Sequence, residues 1–395
     1  MRVLMVSDVY FPRVNGVSTS IETFRRRLAD EGVEVRLVVP RYGDEPDEPG
    51  VVRVGGRPVP GDAEDRLVGW RAMHRAVAAA AADCDLVHIQ TPFVAHYAGL
   101  AAARRLDLPA LATYHTLFEE YLQHYAPLLP AGWLRGAARV CSRRQCDALD
   151  GVVVPSSAMR ERLLAYGVRA PLHVLPTGIP VERFAAGDGA AFRAAHGIPP
   201  ERPLALYVGR VAHEKNIGFL IEALRRALPA VPDLLLLIAG EGPARAELQR
   251  RVDALDLNRA VRFLGYLDRE RGLPDCYAAA DLFVFASRTE TQGLVLIEAM
   301  AAGTPALALS AMGTADILTP GKGCIVPPDD VAAFATALAH FFGHRAAWAH
   351  LGAEAAAYAH TWSERTMAEL LAAHYRLLRR RRRGAAGAPV VVAGL

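Results

Sequence analysis

An α/β chain with two doubly wound parallel sheets is the fold class this sequence predicts, on three observations. Short apolar runs alternate with helical patterns, they do so in two successive sets, and 395 residues are too many for one ordinary core. The first set of candidate strands is Val3–Val6, Val35–Val39, Leu86–Ile89, Leu111–Tyr114 and Gly151–Val154, most of them far enough apart for crossover helices. The second set is Leu204–Val208, Leu234–Ala239, Val261–Leu264, Leu282–Phe285 and Ala306–Leu309, again with helical stretches between. Between the sets, Pro171–Phe184 carries LPTGIPVERF, whose prolines and glycine suit a rigid connector rather than a helix. The expected division is therefore residues 1–175 and 176–362. Ligands of such sheets bind beyond the carboxyl ends of the strands, so two facing domains are expected to enclose a cleft fed by both sets of loops.

Composition narrows the class further. With 52% hydrophobic residues the chain can bury two cores, and a formal charge of +3 is too small to imply nucleic acid as a partner. The five cysteines (Cys84, Cys141, Cys146, Cys276 and Cys324) are odd in number, scattered and without metal spacing, which reads as reduced thiols in a cytoplasmic protein. Met1 and Arg2 lead straight into the strand Val3–Val6, and no uncharged apolar run approaches the ~20 residues of a membrane span. Neither a leader nor a membrane-spanning helix is expected; any meeting with a membrane is at its surface.

The stretch Ser287–Pro305, SRTETQGLVLIEAMAAGTP, is the most informative in the chain. The run Leu282–Phe285 suits a buried strand, and Leu294–Met300 carries helix formers until Gly303 and Pro305 stop it. Strand, turn and helix follow in that order. The free N–H groups of the first helical turn, with about half a positive charge from the helix dipole, favour an anion there. Gly293 allows a diphosphate to approach the backbone beside Leu294. Glu298, one turn deeper, suits a vicinal diol such as a nucleotide ribose, because an ionised carboxylate only accepts hydrogen bonds. Glu290, ahead of the helix, addresses the other end of the same ligand.

This segment resembles the nucleotide-sugar signature of retaining glycosyltransferases of family four, a Glu, seven residues and a second Glu, and the likeness extends along nearly the whole chain. The resemblance implies the GT-B fold, two facing Rossmann-like domains, with a last helix crossing back onto the first domain. Residues 363–380 are the candidate for that helix, and 381–395 for a basic, flexible tail.

Other loops take roles from the same likeness. In DVYFPRVNGVSTSIETF, Asn15 and Gly16 precede a helix with Ile21, Phe24 and Leu28 on one face and Ser18 as a cap. The family sets this glycine loop against the donor phosphate and the acceptor. The phrase YVGRVAHEKN places Arg210 and Lys215 on a loop after a strand. Preorganised cations there stabilise the charge that grows on a departing nucleoside diphosphate, and family members put an Arg and a Lys in these places. AGEGP, Ala239–Pro243, is a tight turn that the resemblance sets at the rim of the nucleotide pocket. His115, in TYHTLFEEYLQHY, ends a strand and occupies the family's position beside the transferred sugar.

The implied reaction is transfer of a hexose from a nucleotide-sugar co-substrate with retention, by same-face attack in which the leaving phosphate helps accept the acceptor's proton. No cofactor and no metal are expected. Asp83-Cys84-Asp85 looks like a metal-binding Asp-any-Asp motif, but it precedes the strand Leu86–Ile89 and so sits at the wrong end of the sheet. The phrases TYHTLFEEYLQHY and LPTGI are similar to bacterial enzymes that build glucosyl-diacylglycerol, which points to UDP-glucose and a lipid or glycan acceptor. GDP-mannose-dependent mannosyltransferases are the alternative, and a nucleotide-sugar epimerase a further one. Thr177 and Pro180 stand where many relatives carry Asn and Asp, so contacts made there by other members do not transfer.

Two basic segments bear on an anionic membrane surface as partner. In WLRGAARVCSRR, Arg135, Arg139 and Arg143 recur at helical spacing beside Trp133, Leu134 and Val140, with Gly136 weakening the helix. Arg379–Arg383 adds five consecutive cations. Membrane contact and a solvated basic face fit the first equally, and membrane contact and a loose tail the second.

Overall fold

A computed structural model of the protein describes residues 1–59, 62–115 and 131–384. The chain divides into two compact units, Met1–Gly178 joined by the C-terminal segment from Glu364, and Ile179–Ser363. The first break falls inside the connector rich in proline and glycine.

The first unit holds an eight-stranded sheet. Its strands are β1 (Arg2–Val6), β2 (Glu34–Arg41), β3 (Val51–Val59), β4 (Asp62–Val68), β5 (Leu86–Ile89), β6 (Ala110–Thr113), β7 (Gly151–Val154) and β8 (Leu172–Val174). They lie in the order β4-β3-β2-β1-β5-β6-β7-β8, parallel throughout except for the β3–β4 hairpin. The central strands are continuous apolar runs because both faces are covered, and β5 and β7 are buried at every residue. β3, β4 and β8 were outside the sequence expectation, and each lies toward an edge. β3 carries two glycines and a proline, and β8 has only 3 residues, none of them buried.

The second unit holds β9 (Leu204–Val208), β10 (Leu235–Ala239), β11 (Val261–Gly265), β12 (Leu282–Phe285), β13 (Ala306–Ala308) and β14 (Cys324–Ile325). The order is β11-β10-β9-β12-β13-β14 and every pairing is parallel. Large rings pack its centre, with Tyr207 stacked on Phe285 at 5.9 Å and Phe285 on Phe283 at 5.9 Å. Strand order reverses between β9 and β12 here, and between β1 and β5 in the first unit. Ligands of open α/β sheets bind at such a reversal, at the carboxyl ends of the strands.

Three local expectations need correction. The connector is not wholly irregular, since Val181–Ala185 is helical and buries Val181 and Phe184. Pro180 stands just before this helix, where its missing N–H does no harm. Asn15, not Ser18, caps the helix Gly16–Leu28, its side chain accepting from the Ser18 N–H at 2.9 Å. The C-terminal helix runs Glu364–Gly384, so it does not give way to a loose tail at Arg381.

That helix belongs to the first unit for a visible reason. Met367, Leu371, Tyr375 and Leu378 are buried at helical spacing against Ile21, Phe24 and Leu28 of the helix Gly16–Leu28. Glu364, only 2% exposed, accepts from Arg26 at 2.5 Å and Arg27 at 2.5 Å, at a helix start that favours negative charge. Farther along, Arg379 pairs with Asp85 at 3.0 Å, and Arg382 with Asp107 at 2.7 Å and Asp150 at 3.3 Å. Part of the basic run is thus spent on the protein's own acids; residues 385–395 lie outside the described residues.

Glu364→Ala is expected to lower the stability of the first unit by about 1–3 kcal/mol, since the lost hydrogen bonds are to charged groups. Arg382→Ala, at an exposed pair, should cost less than about 1 kcal/mol. Urea unfolding of the two variants side by side measures the contrast, and equal midpoints would remove the clasp assigned to Glu364.

Candidate active site

The loop leaving β9 is built by glycines and a tight turn. Gly209 has φ of 151°, Tyr207 donates its hydroxyl to the Arg210 carbonyl at 3.1 Å, and a single 3-10 turn, His213–Lys215, brings Lys215 round. Asn216 follows at φ 57° and donates its side-chain amide to the Ala286 carbonyl at 3.1 Å, just past the end of β12. The Lys215 ammonium then reaches the Glu290 carboxylate at 2.6 Å, with side chains 21% and 18% exposed. A charge-assisted bond of this sort contributes about 1.5–3 kcal/mol. It ties together the loops that leave neighbouring strands at the reversal.

Glu290 is also held through its backbone, whose carbonyl accepts from the Gly313 N–H at 2.9 Å. A Cβ on Gly313 would lie 2.1 Å from the Thr291 carbonyl oxygen, so only glycine lets this loop close. Gly293, at φ 97°, turns the chain into the helix Leu294–Ala301, which begins without a side-chain cap. The AGEGP turn lies against the Arg210 loop, where a Cβ on Gly240 would fall 1.9 Å from the Gly209 carbonyl oxygen. Its glycines therefore serve loop packing.

Arg210 does not join the Lys215–Glu290 pair. Its side chain is 65% exposed, with Glu214 at 3.9 Å.

Glu298 departs from the sequence reading of an open acceptor. It is 2% exposed, one carboxylate oxygen accepts from Arg269 at 2.6 Å and the other from the Tyr277 hydroxyl at 2.9 Å. Burial and the neighbouring Glu298 hold the Tyr277 phenol well above its ordinary pKa, so it stays a donor. Arg269 and Tyr277 escaped the sequence reading. They lie 29 and 21 residues before Glu298, and no local spacing joins them to it.

In the first unit, Gly16 opens its helix behind Asn15, and a Cβ there would meet nothing within 4 Å among the described residues. His115 lies two residues past β6 and contacts Gln90 at 2.9 Å; burial pushes its pKa down to about 4, so the ring is neutral. Asp8, past β1, is bonded to Thr91 at 2.7 Å and to the Ala95 N–H, and burial raises its carboxyl to about 6. The rest of the phrase that begins at Thr113, residues 116–125, lies outside the described residues.

The basic helix forms over Ala131–Cys146, and Gly136 does not interrupt it. Arg139 stands over the Tyr166 ring at 5.5 Å, Val140 is 43% exposed, and Arg143 and Arg144 are exposed. The side chains of Trp133, Leu134 and Arg135 lie outside the described residues. Asp83 pairs with Arg36 at 2.7 Å and with Arg2, and Asp85 with Arg379, all ahead of β5. Thr177 donates to Ser20 at 2.8 Å within the first unit.

Comparison with known proteins completes the description. Residues 14–183 match the family described as Glycosyltransferase Family 4, and residues 188–356 the one described as Glycosyl transferases group 1. The chain is 33% identical over 324 residues to an alpha-monoglucosyldiacylglycerol synthase of Streptococcus pneumoniae, covering 78% of this chain and 71% of the relative. It is 29% identical over 398 residues to a GDP-mannose-dependent alpha-mannosyltransferase of Mycobacterium tuberculosis, covering 97% and 98%. Among solved structures, Anabaena HepE in complex with UDP superposes with a TM-score of 0.75 at 18% identity, over 95% of this chain and 100% of the other.

Tyr277→Phe leaves the buried Glu298 carboxylate one donor short. It is expected to destabilise the second unit by about 1–3 kcal/mol, read as a lowered urea midpoint; an unchanged midpoint would show that the phenol is not what holds Glu298.

Proposed function

The chain belongs to glycosyltransferase family 4, and on that footing we propose that it moves a hexose, first of all glucose from UDP-glucose, to the hydroxyl of a membrane lipid such as diacylglycerol, with retention at the anomeric carbon. The observation that carries this reading is the 2.6 Å Lys215–Glu290 bond at the strand reversal, beside the uncapped start of the helix Leu294–Ala301.

The donor diphosphate takes the free N–H groups of that helix start, with Gly293 giving it room and Leu294 at the first turn. Lys215, already fixed by Glu290, and the exposed Arg210 supply positive charge to the departing phosphate. Fixed cations act where charge grows, so they favour the transition state over the ground state. Glu290 addresses the sugar. Glu298 has about four acceptor positions and spends two on Arg269 and Tyr277; a ribose diol takes the others as the half-exposed Arg269 gives way. Gly16 and His115 are assigned to phosphate and sugar on the family likeness.

Retention follows same-face attack, the leaving phosphate accepting the acceptor's proton. Lys215, held by Glu290, and the exposed Arg210 supply the positive charge that a metal ion would otherwise bring to the diphosphate, and on this reading the reaction uses no metal.

The lipid acceptor draws support from the likeness to a monoglucosyldiacylglycerol synthase and from the exposed Arg139, Arg143 and Arg144 beside Val140, which suit an anionic membrane surface at the cytoplasmic face. The likeness to a GDP-mannose-dependent mannosyltransferase over 97% of this chain supports a second reading, with GDP-mannose as donor. Nucleotide release from UDP-, GDP- and ADP-sugars, each with and without diacylglycerol, separates the two. Turnover of donor without any acceptor would favour an epimerase instead.

Lys215→Ala and Glu290→Gln should each lower kcat by about 10²–10³, as losing a preorganised electrostatic group does, in proteins that still unfold normally. Rates near those of the parent would sink the assignment. Chelator should leave turnover within about a factor of two, and abolished activity would overturn the metal-free mechanism.

A further inference from the structure

The first unit carries two stacked rungs of side-chain hydrogen bonds between β5 and β6, and the upper one lies past the carboxyl ends of both strands. The register pairs His88 with Leu111 and Ile89 with Ala112. Residues two apart on a strand share a face, so His88 and Gln90 lie on one side of β5 and its extension, and Thr113 and His115 on the same side of β6. The lower rung joins His88 Nε2 to Thr113 Oγ1 at 2.7 Å, and the upper joins Gln90 Oε1 to His115 Nε2 at 2.9 Å. Both run diagonally with the same offset of 25 residues.

The lower rung is anchored from outside the sheet. His88 is 1% exposed, and its other nitrogen, Nδ1, meets the Tyr375 hydroxyl of the C-terminal helix at 2.6 Å, with Tyr375 itself fully buried. His88 is thereby bonded on both sides, and the spacing of β5 and β6 just below the strand ends is set by buried polar groups. Such groups are costly to leave unpaired, so the arrangement is stiff. The upper rung rests on it. Gln90 is 4% exposed, its backbone N–H donates to the Val6 carbonyl at 2.9 Å, and His115 is only partly buried. Among the described residues Nδ1 of His115 has no partner.

We propose that Gln90 is a positioning residue for His115: its side-chain carbonyl accepts the Nε2 proton, holds the ring as the Nε2–H tautomer, and leaves Nδ1 as a lone-pair acceptor for a hydroxyl of the hexose or of its acceptor. The proposal rests on the transferase reading for the identity of that hydroxyl, and on the structure alone for the tautomer. A neutral imidazole has one donor and one acceptor nitrogen, and the hydrogen bond made by the first decides what the second offers. Burial keeps the ring neutral by holding its pKa at about 4. The titratable groups around it act in the same sense or are already engaged. His88, below, is itself driven well under its ordinary pKa, Tyr375 is held protonated, and Asp8 is bonded to Thr91, the residue after Gln90.

The test uses the full chain with histidine labelled at both ring nitrogens, the His115 signals being assigned by their loss in His115→Asn. Long-range proton–nitrogen spectra of the donor-free protein should show His115 with Nε2 protonated and Nδ1 bare. Gln90→Met, which removes the acceptor at similar bulk, should mix the tautomers and lower kcat for hexose transfer at least tenfold with little change in donor KM. Gln90→Glu keeps an acceptor but places negative charge on the ring, which favours the imidazolium. It should preserve the tautomer and most of the activity at high pH, and move the acid limb of the kcat profile up by a unit or more. Asp8→Asn serves as the control, since its carboxyl titrates near 6 and could set an acid limb of its own. Wild-type His115 protonated on Nδ1, or Gln90→Met with the parent's tautomer and pH profile, would overturn the proposal. If no nucleotide-sugar is turned over at all, the transferase reading fails while the spectra still judge the role of Gln90.

Discussion

The bond between Lys215 and Glu290 is what joins the loops at the strand reversal of the second unit. The two residues come from loops 75 positions apart in the chain, yet they leave β9 and β12, which lie side by side where strand order reverses. At that point helices diverge to opposite faces of the sheet, so no chain crosses over the strand ends and the loops there stay open to a ligand. An ion pair at this place sets the distance between a cation and a carboxylate before any ligand arrives. Side chains ordered in advance do not have to be ordered during binding or reaction.

The glycines around the pair make that geometry attainable. Gly313 lets its loop come within bonding distance of the Glu290 backbone, and Gly240 lets the turn after β10 lie on the turn after β9. Gly293 supplies a left-handed residue before a helix whose start carries no side-chain cap. Gly16 differs from these, because no atom of the described structure comes close enough to forbid a side chain.

The first unit solves a related problem with buried polar side chains. His88, Thr113 and Tyr375 are bonded into one another below the strand ends, and this ties the C-terminal helix to the strands that carry Gln90 and His115. The same helix is clasped at its start by Glu364 with Arg26 and Arg27, and near its end by Arg379 and Arg382 on surface acids. Arginines that read as a membrane-binding run are in part the fastening of this helix. In the helix Ala131–Cys146, Arg139, Arg143 and Arg144 are exposed.

The buried strands and the helix after Gly293 were legible in the amino-acid order, because each is announced by a local pattern, whereas Arg210, Lys215 and His115 took their expected roles from the family likeness. A continuous apolar run marks a strand covered on both faces, and a glycine followed by helix formers marks an anion-binding turn. Edge strands such as β3 and β8 lack that signal, since half-exposed backbone tolerates glycine, proline and polar residues alike. Partnerships between distant positions carry no local signal at all. That Glu298 is capped by Arg269 and Tyr277, that Lys215 rather than Arg210 meets Glu290, and that Gln90 bonds His115 were decided only when the sheets brought those residues together. Side-chain chemistry is written position by position, whereas the distance between two side chains is a property of the folded backbone.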